Sequence, residues 1–533
     1  MAQVPWFKTA VFYEVPVYAF GDGDGDGTGD FTGLTRRLDH LQWLGVDCLW
    51  ILPFYQSPLR DGGYDVSDFR AVLPVYGTDD DVRTFVAEVH RRGMRVIADF
   101  VINHTSDQHA WFQEARLPGS PMRGRYVWSD NPSRWSEARV IFVDTHDSNW
   151  SWDDQAGAYY WHRFFSHQPD LNFDNPDVRA EVEDAIRYWL DVGFDGLRLD
   201  AVPYLYERDG TNGENLPETH TYLKHLRGIV DREYPGRVLL AEANQWPQDV
   251  VAYFGDGDEC HMAFHFPVMP RLFMALKQQS AASVVDILAA TPDIPPGCQW
   301  GIFLRNHDEL TLEMVTADER AYMYEQYAPD PAMRKNLGIR RRLAPLLDND
   351  RARIELLYAL LLSLPGSPII YYGDEMGMGD RFDLEDRDGV RTPMQWDDSP
   401  TAGFSTADPE ALYLPLVEAP GYRPADLNIA AARTDDGSLL NWVRAMLALR
   451  RAHPAFGTGS YSAVPAGDEA LLAFERNDGR ERLLVVANFA DRAFTAELGV
   501  DGEWERFAGR GLTAAAGAAT ADPRGWGWFA AKY

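Results

Sequence analysis

One structural unit recurs along residues 11–451: a short apolar stretch, a polar loop and then a stretch with helical periodicity. The apolar stretches are short and nearly continuous, which is typical of strands covered on both faces. They occur at residues 11–17, 47–53, 95–101, 196–201, 237–242, 263–266, 301–307 and 367–372, with helical stretches at 31–44, 79–92, 177–192 and 440–451. Eight strand–helix units close naturally into a barrel, so the sequence predicts an α/β fold of the (β/α)8 TIM-barrel type.

Such a barrel requires about 250 residues. The chain has 533 residues and is therefore much longer than the barrel alone. A Trp-rich insertion follows the third strand. Short alternating strands, joined by Asn477-Asp478-Gly479, dominate the end of the chain and predict a separate antiparallel domain. The predicted organisation is a barrel at residues 1–104 and 169–456, an inserted domain at 105–168 and a C-terminal β-sandwich at 457–533.

The composition excludes several classes of partner. Hydrophobic residues make up 45% and charged residues 25% of the chain, as in a soluble globular protein. The 81 acidic residues against 50 basic ones give a formal charge of −31, which argues against binding to nucleic acid or an anionic membrane. No apolar run is long enough for a transmembrane helix, and residues 1–6 lack a secretory pattern.

The cysteines bear on the cellular compartment. Cys48, Cys260 and Cys298 are an odd number in a long chain and imply no disulfide framework. We therefore expect a cytoplasmic protein. Its oligomeric state, a monomer or a homo-oligomer, is left open by the sequence.

Three acidic residues follow predicted strands: Asp200, Glu242 and Asp308. An acid at the C-terminal end of a buried parallel strand has no packing role, and in a parallel barrel this end carries the active site. Three such acids on separate strands can converge on one pocket. The alternative is that they are unrelated residues that cap the following helices, which accounts better for one acid than for three with polar neighbours.

The surroundings of the first two acids differ. Arg198 and Asp200 are two residues apart on one strand, so their side chains point the same way. A guanidinium lowers the pKa of a neighbouring carboxylate, which keeps Asp200 ionised as a nucleophile must be. Glu242 follows apolar residues of its own strand, and such surroundings raise the pKa of a carboxyl, as a general acid requires. Two carboxyls driven in opposite directions indicate glycoside chemistry.

Further polar residues lie near the same strand ends. Asp308 is the third carboxylate, suited to holding sugar hydroxyls while charge develops, and His104 and His307 supply hydrogen-bond donors nearby. Asp65, which follows a Gly-Tyr pair, is another candidate sugar contact. A lone histidine is more often a core residue than a ligand. Two histidines at strand ends beside these acids favour a functional role.

These motifs resemble the α-amylase superfamily of glycoside hydrolases and transglycosylases. The similarity lies in residues 99–104, 168–172, 196–200 and 306–308 and in Glu242. The resemblance implies that Asp200 is the nucleophile, Glu242 the acid/base and Asp308 the stabiliser of the transition state. It also implies a substrate-binding set, for which the candidates are Asp65, His104, Gln168, Arg198, His307 and Arg391.

Within the superfamily, the sequence is similar to the trehalose synthase family. The similar segments are residues 201–208, 214–220, 243–247, 259–267 and 386–396. One departure is Gly213, where the family often has Cys. The resemblance implies an isomerase that interconverts maltose and trehalose by a retaining double displacement within one pocket, with minor hydrolysis to glucose. These disaccharides are the implied partners.

Two other functions are compatible with parts of this pattern. A hydrolytic α-glucosidase would use the same carboxylates in a pocket that admits water, and the sequence leaves this alternative open. Insertions at residues 316–350 and 379–391 are long enough to cover the pocket, and Arg391 with an acid such as Asp388 is a candidate latch. A catalytically inactive interaction module is disfavoured, because such proteins lose the carboxylates that this chain keeps.

The loop at residues 22–30 places acidic oxygens at every second residue between glycines. This spacing is similar to the first nine positions of a calcium-binding loop, although the twelfth position, normally a bidentate Glu, is Gly33. The alternative is a solvated acidic turn. The predicted ligands for Ca²⁺, or for Mg²⁺, are Asp22, Asp24, Asp26, Thr28 and Asp30.

A second cation site is implied by the resemblance alone. Trehalose synthases bind calcium near the inserted domain, and the matching side-chain ligands are Asn103, Asp170 and Glu207. Main-chain oxygens of Tyr204 and Leu205 complete the implied set. All are hard oxygen ligands, which suit a structural Ca²⁺.

Overall fold

The computed structural model describes residues 4–515 and 517–532. The strands of this part of the chain are β1 (Phe12–Val15), β2 (Cys48–Ile51), β3 (Tyr55–Gln56), β4 (Asp68–Val72), β5 (Arg95–Val101), β6 (Trp128–Ser129), β7 (Trp150–Asp153), β8 (Ala158–Trp161), β9 (Gly196–Asp200), β10 (Val238–Ala241), β11 (Met262–Phe264), β12 (Gln299–Phe303), β13 (Leu310–Thr311), β14 (Arg334–Lys335), β15 (Gly338–Ile339), β16 (Ser367–Tyr371), β17 (Ser460–Ala463), β18 (Leu471–Asn477), β19 (Arg482–Asn488), β20 (Phe494–Glu497), β21 (Trp504–Ala515) and β22 (Ala518–Ala531).

Eight of these strands form a closed parallel barrel in the order β1, β2, β5, β9, β10, β11, β12 and β16, with β16 returning to β1. Each predicted apolar stretch overlaps one of them, so the predicted (β/α)8 barrel is confirmed. Every residue of β2, β9 and β12 is buried, because side chains fill the barrel and helices cover its outside. The parallel strand direction gathers all carboxyl ends at one end of the barrel.

The α-helices of the described residues are α1 (Val17–Phe20), α2 (Phe31–Arg36), α3 (Leu38–Leu44), α4 (Asp79–Arg91), α5 (Ala110–Ala115), α6 (Pro176–Val192), α7 (Pro217–Glu233), α8 (Pro247–Val250), α9 (Val268–Gln278), α10 (Ala282–Ala290), α11 (Ala317–Tyr327), α12 (Leu343–Leu346), α13 (Arg351–Leu361), α14 (Ile429–Thr434), α15 (Leu439–Ala452) and α16 (Ala455–Thr458). Short 3-10 helices lie at Trp6–Lys8, Pro74–Tyr76, Pro121–Arg125, Val202–Tyr204, Val251–Phe254, Pro331–Met333, Asp388–Val390 and Pro409–Ala411.

The helix predictions differ in accuracy. Those for residues 79–92, 177–192 and 440–451 agree with α4, α6 and α15 to within one residue at each end. The predicted helix at residues 31–44 is interrupted at Arg37 and forms α2 and α3. Local signals therefore fix most boundaries, as where a capping box precedes α4.

Two insertions contribute residues above the carboxyl ends of the barrel. The first follows β5 and contains the antiparallel sheet β6–β8–β7 with a small core of Trp135, Ala138, Trp150 and Trp161. The second follows β12 and contains the sheet β13–β15–β14 and helix α11. Both insertions supply residues to the cavity described below.

The C-terminal region is antiparallel, as predicted. Its strands are ordered β17–β18–β19–β22–β20, and β21 pairs along β22. The turn between β18 and β19 has Gly479 at φ +82°, which explains the glycine in the predicted hairpin signal. No helix of residues 4–515 and 517–532 combines the length and apolar character that a membrane crossing needs.

Candidate active site

The carboxyl ends of the barrel strands surround a cavity of about 130 Å³ whose lining includes Asp200, Glu242 and Asp308. Asp200 ends β9, Glu242 follows β10, and Asp308 lies in the loop after β12. The other lining residues are Asp61, Tyr64, His104, Ile141, Phe142, Phe164, Ala201, Tyr204, Asn244, Phe266, Asn306, Glu309, Thr311, Glu313 and Arg387. The three carboxylates therefore face one shared cavity.

One buried arginine connects acids of three strands. Arg198 Nη1 donates to Asp200 Oδ1 (2.6 Å) and to Asp99 Oδ1 (2.8 Å), and Nη2 lies 2.5 Å from Glu242 Oε1. Arg198 reaches Glu242 because β9 and β10 are adjacent, with Leu240 opposite Arg198. The apolar sequence before Glu242 gave no sign of this contact, which comes from the neighbouring strand.

Burial raises the pKa of both reacting carboxyls. The pKa of Asp200 is raised to about 6, although Arg198 lowers it. The expected low pKa of Asp200 is therefore wrong, because loss of hydration outweighs the ion pair. Burial raises the pKa of Glu242 to about 8, with Arg198 lowering it and Asp200 raising it. The order still follows the sequence prediction, since Asp200 loses its proton at a lower pH than Glu242.

The residue after Asp200 has an unusual backbone conformation. Ala201 has φ +53° and ψ +35°, in the left-handed region that residues other than glycine seldom adopt. Its N–H donates to Glu242 Oε2 (3.1 Å). Such a conformation costs on the order of 1–3 kcal/mol, and here it fixes the orientation of the acid on the adjacent strand.

Two arginines from the segment after β16 bind Asp308. Arg387 Nε lies 3.1 Å from Asp308 Oδ1, and Arg391 Nη2 donates to the same oxygen at 3.2 Å. Arg387 Nε also donates to Glu309 Oε2 (2.8 Å). Within residues 4–515 and 517–532, the ion-pair partner of Arg391 is Asp308 and not the expected Asp388.

A chain of polar contacts connects Asp308 to the first barrel strand. His307 Nε2 lies 3.2 Å from Asp308 Oδ2 and 2.8 Å from the Tyr64 hydroxyl, which donates to Asp99 Oδ2 (2.8 Å). His307 Nδ1 lies 2.5 Å from Glu14 Oε1 on β1. Sequence reasoning missed Glu14, because a single acid inside an apolar strand forms no recognisable motif.

Asp65, a predicted sugar contact, lies outside the cavity lining. Its carboxylate accepts hydrogen bonds from Ser57 Oγ (2.9 Å), Arg60 N (3.1 Å) and Asp61 N (3.2 Å). It therefore holds the loop between β3 and β4 in shape. That loop presents Asp61 to the cavity, where its carboxylate lies 3.8 Å from Arg387 Nη1.

Gln168, another predicted contact, also lies behind the cavity. Its Nε2 donates to Asp61 Oδ2 (2.8 Å), and its Oε1 accepts from Phe165 N (3.1 Å). Burial raises the pKa of Asp61 to about 6. Asp65 and Gln168 thus position Asp61, which sequence reasoning missed although it precedes the glycines of the Asp65 motif.

His104 lines the cavity just after β5. Its Nε2 is buried and has no hydrogen-bond partner within the described part of the chain. Burial lowers the pKa of His104 to about 3, so the ring is neutral. An unpartnered ring nitrogen of this kind is available to a sugar hydroxyl.

The inserted domain covers the cavity. Phe142 lies in the lining, with the guanidinium of Arg387 5.2 Å from the centre of its ring. Arg139 joins the insertion to the barrel loops, donating from Nε to Glu214 Oε1 (2.8 Å) and from Nη1 to Glu313 Oε2 (2.8 Å). The inserted domain is therefore joined, beside the cavity, to the loops that follow β9 and β12.

The acidic loop near the N-terminus brings part of the predicted ligand set together. The carboxylate oxygens that lie within 4.8 Å of one another belong to Asp22, Asp24 and Asp30. Asp26 lies outside this group, and its carboxylate accepts from Thr28 N (2.8 Å). A side chain at Gly33 is sterically excluded, because its Cβ would lie 2.0 Å from Gly21 O. The twelfth-position ligand of a calcium loop therefore cannot come from residue 33.

The second implied cation site is buried. Asn103 Oδ1 and Asp170 Oδ2 have no hydrogen-bond partner in the described residues. Burial raises the pKa of Asp170 to about 8, and burial followed by the charge of Asp170 raises the pKa of Glu207 well above its usual range. Tyr204 and Leu205 lie in the turn after β9. Unpartnered oxygens beside two repelling acids fit a divalent cation.

Comparison with known proteins agrees with this geometry. A family model described as the catalytic domain of α-amylase matches residues 16–329 and 340–459. The chain belongs to the α-amylase family. It is 61% identical over 482 residues to the trehalose synthase/amylase TreS of Mycolicibacterium smegmatis, covering 90% of this chain and 81% of that relative.

Two further comparisons cover most of the chain. The trehalose synthase/amylase TreS of Mycobacterium tuberculosis is 59% identical over 514 residues, covering 95% of this chain and 85% of the relative. The crystal structure of the trehalulose synthase MutB from Pseudomonas mesoacidophila is similar with a TM-score of 0.81 and 30% identity, covering 99% of this chain and all of that one. The family resemblance seen in the sequence is thereby confirmed.

Proposed function

We propose that this protein interconverts maltose and trehalose by transferring a glucosyl unit within one closed pocket. The observation that carries the proposal is the small cavity that Asp200, Glu242 and Asp308 share beneath Phe142 and Arg387. Relatives named trehalose synthase support the same reaction. The pocket geometry and these relatives together favour isomerisation over the breakdown of long glucans.

In the first step Asp200 is the nucleophile. Its carboxylate attacks the anomeric carbon of the non-reducing glucosyl unit of maltose while Glu242 protonates the glycosidic oxygen. The bond to the second glucose breaks as an ester bond to Asp200 forms. Both carboxyls contact Arg198, which favours the close spacing of about 5–5.5 Å found in retaining enzymes.

In the second step the released glucose turns within the pocket, so that its anomeric hydroxyl faces the glucosyl carbon. Glu242, now ionised, removes the proton of that hydroxyl. The new bond to oxygen forms as the ester bond to Asp200 breaks, which gives trehalose. The reverse reaction repeats these steps from trehalose. No water is consumed, so exclusion of water separates isomerisation from hydrolysis.

Other residues bind the sugar. Asp308 faces the positive charge that develops at the anomeric carbon, and His104, whose Nε2 has no partner in the described residues, contacts a sugar hydroxyl. His307, a predicted sugar contact, does not line the cavity and lies against Asp308 instead. Asp61 takes the role first considered for Asp65, because Asp61 lines the cavity and Asp65 does not. Arg391 acts through Asp308, whose carboxylate it contacts.

A hydrolytic α-glucosidase is the second candidate, since the same carboxylates would hydrolyse maltose if the pocket admitted water. The product mixture distinguishes the two. Incubation with maltose should give mainly trehalose, with glucose as the minor product, and incubation with trehalose should give maltose. Free labelled glucose added to the reaction should enter trehalose only slowly. Almost exclusive formation of glucose by the intact enzyme would assign it as an α-glucosidase.

We also propose two cation sites. Asn103, Asp170 and Glu207, with main-chain oxygens of Tyr204 and Leu205, would hold a structural Ca²⁺ that neutralises the buried acids. The loop that contains Asp22, Asp24 and Asp30 would hold a second Ca²⁺ or Mg²⁺ more loosely, because residue 33 supplies no carboxylate. Neither ion takes part in the transfer of the glucosyl unit.

A further inference from the structure

Glu14 contacts His307, the neighbour of Asp308, without lining the catalytic cavity. It is fully buried on β1. Its Oε1 accepts the backbone N–H of His307 (3.1 Å) and lies 2.5 Å from His307 Nδ1. Its Oε2 is buried and has no hydrogen-bond partner among residues 4–515 and 517–532. An acid in this setting has no contact with substrate and acts through His307.

The hydrogen bonds around His307 indicate which ring nitrogen carries a proton. The Tyr64 hydroxyl gives its proton to Asp99 Oδ2, so it accepts a hydrogen bond from His307 Nε2. Asp308 Oδ2 lies 3.2 Å from the same nitrogen. Nε2 is therefore protonated. The contact between Nδ1 and Glu14 then contains one proton, which belongs either to the acid or to the ring.

We propose that Glu14 is a positioning residue that is itself protonated and donates its proton to His307 Nδ1, so that a neutral imidazole donates from Nε2 to the Tyr64 hydroxyl and lies beside Asp308 without a charge. The inference deepens the proposed glucosyl transfer and rests on it for its catalytic meaning. A neutral ring leaves the charge of Asp308 free for the anomeric carbon. A charged ring beside Asp308 would compensate that charge before the reaction.

The electrostatic surroundings support this proton position. Burial, followed by the charges of Arg391, Arg198 and Arg387, lowers the pKa of His307 well below its usual range. Burial raises the pKa of Glu14 well above its usual range. An unpartnered Oε2 is also less costly on a neutral carboxyl than on a carboxylate. The charged and titratable groups that influence Glu14 are His307, Asp308, Arg198, Asp99 and Tyr371.

Two substitutions distinguish a proton donor from an ionised partner. Glu14→Gln places an amide donor against His307 Nδ1 but removes the acceptor of the His307 backbone N–H, whereas Glu14→Leu removes the donor and the acceptor together. For maltose turnover we expect kcat/KM of Glu14→Gln to stay within about fivefold of the wild type. A fivefold decrease corresponds to the free energy of one lost hydrogen bond between neutral groups. Glu14→Leu should lower kcat by about 10²-fold, as for loss of an oriented donor. Glu375→Gln, at another buried acid, which contacts Tyr13, is the matched control.

The pH profile and an infrared measurement test the proton directly. Glu14→Gln should leave the pH limits of kcat/KM unmoved, because it removes no charge. The infrared difference between wild type and Glu14→Gln at neutral pH should show the carbonyl stretch of a protonated carboxyl. A profile shifted to lower pH, or a difference spectrum with carboxylate bands instead, overturns the proposal. The infrared result does not depend on the product formed, so it separates this inference from the proposed function.

Discussion

Two clusters of acids with little solvent exposure lie at the same end of the barrel and differ in what balances their charge. The catalytic cluster, Asp99, Asp200 and Glu242, contacts the guanidinium of Arg198. The proposed calcium cluster, Asp170 and Glu207, forms no ion pair within the described residues, and Asp170 Oδ2 has no hydrogen-bond partner there. In the first cluster the chain supplies the cation. In the second we propose that a cation from solution balances the charge.

The difference has consequences for chemistry. Arg198, held in place by its contacts with three acids, influences the order in which these carboxyls lose their protons. A reaction that uses one carboxyl as the nucleophile and another as the acid requires such an order. An exchangeable metal ion would serve a structural role better, since it stabilises the fold wherever binding to the unfolded chain is weak. We therefore expect changes in the catalytic cluster to affect turnover most and changes in the calcium cluster to affect stability most.

The largest expected effect follows Asp200→Asn. Without a nucleophilic carboxylate no glucosyl-enzyme forms, so turnover of both maltose and trehalose should fall by about 10⁴-fold or more. Product chromatography measures the loss, and circular dichroism verifies folding. Asp174→Asn, at a largely exposed acid paired with Arg208, is the control and should keep full activity. Near-normal turnover by Asp200→Asn, once deamidation is ruled out, would contradict the nucleophile assignment.

The second largest expected effect is a loss of stability when divalent cations are removed. At a free calcium concentration about 100 times the dissociation constant, binding contributes about 2.7 kcal/mol to the free energy of unfolding. EDTA should therefore lower the Tm, and calcium should restore it, as measured by calorimetry together with metal analysis. An unchanged Tm and no bound metal would refute both cation sites.

Glu207→Gln separates the two clusters in the same experiment. The raised pKa of Glu207 means that its ionisation opposes folding once the pH exceeds the pKa of an unfolded glutamate. With EDTA at neutral pH, this variant should be more stable than the wild type, and it should lose most of the calcium-dependent increase in Tm. A calcium response equal to that of the wild type would assign the bound ion to the loop that contains Asp22 instead.

A smaller change is expected from Arg391→Ala. Arg391 contacts both the main chain of His307 and the carboxylate of Asp308. Its loss should loosen the cover and admit water, so the ratio of glucose to trehalose formed from maltose should rise several-fold while total turnover falls. Arg381→Ala, in the same segment but outside the cavity lining, is the control; it removes the contacts of Arg381 with Asp383, Glu418 and the Leu416 carbonyl. An unchanged product ratio would exclude Arg391 as part of the cover.

The smallest expected effect is the dependence of kcat/KM on pH. The reaction needs Asp200 ionised and Glu242 protonated, and their pKa values are about 6 and about 8. kcat/KM for maltose should therefore follow a bell shape with limits near these values. Activity falls below the lower limit as Asp200 gains its proton and above the upper limit as Glu242 loses its own. A rate that keeps rising well below the lower limit would contradict the assignment.

Much of the architecture could be predicted from local sequence signals. The eight barrel strands, the hairpin at Gly479 and the convergence of the strand-end acids on one cavity all followed from periodicity, turn chemistry and strand direction. The break at Arg37 could not be predicted, because the helical pattern continues across it. The likeness to the α-amylase family likewise came from short motifs whose residues are close in sequence.

The sequence by itself determined which strands form and at which end the acids gather, because both depend on neighbouring residues. Only the tertiary structure decided that Arg198 also contacts Glu242, that Asp61 and not Asp65 lines the cavity, and that Glu14 reaches His307. It also decided that burial outweighs the arginine at Asp200. The physical reason is common to all of these results: each depends on groups far apart in sequence and on how completely folding removes water from between them.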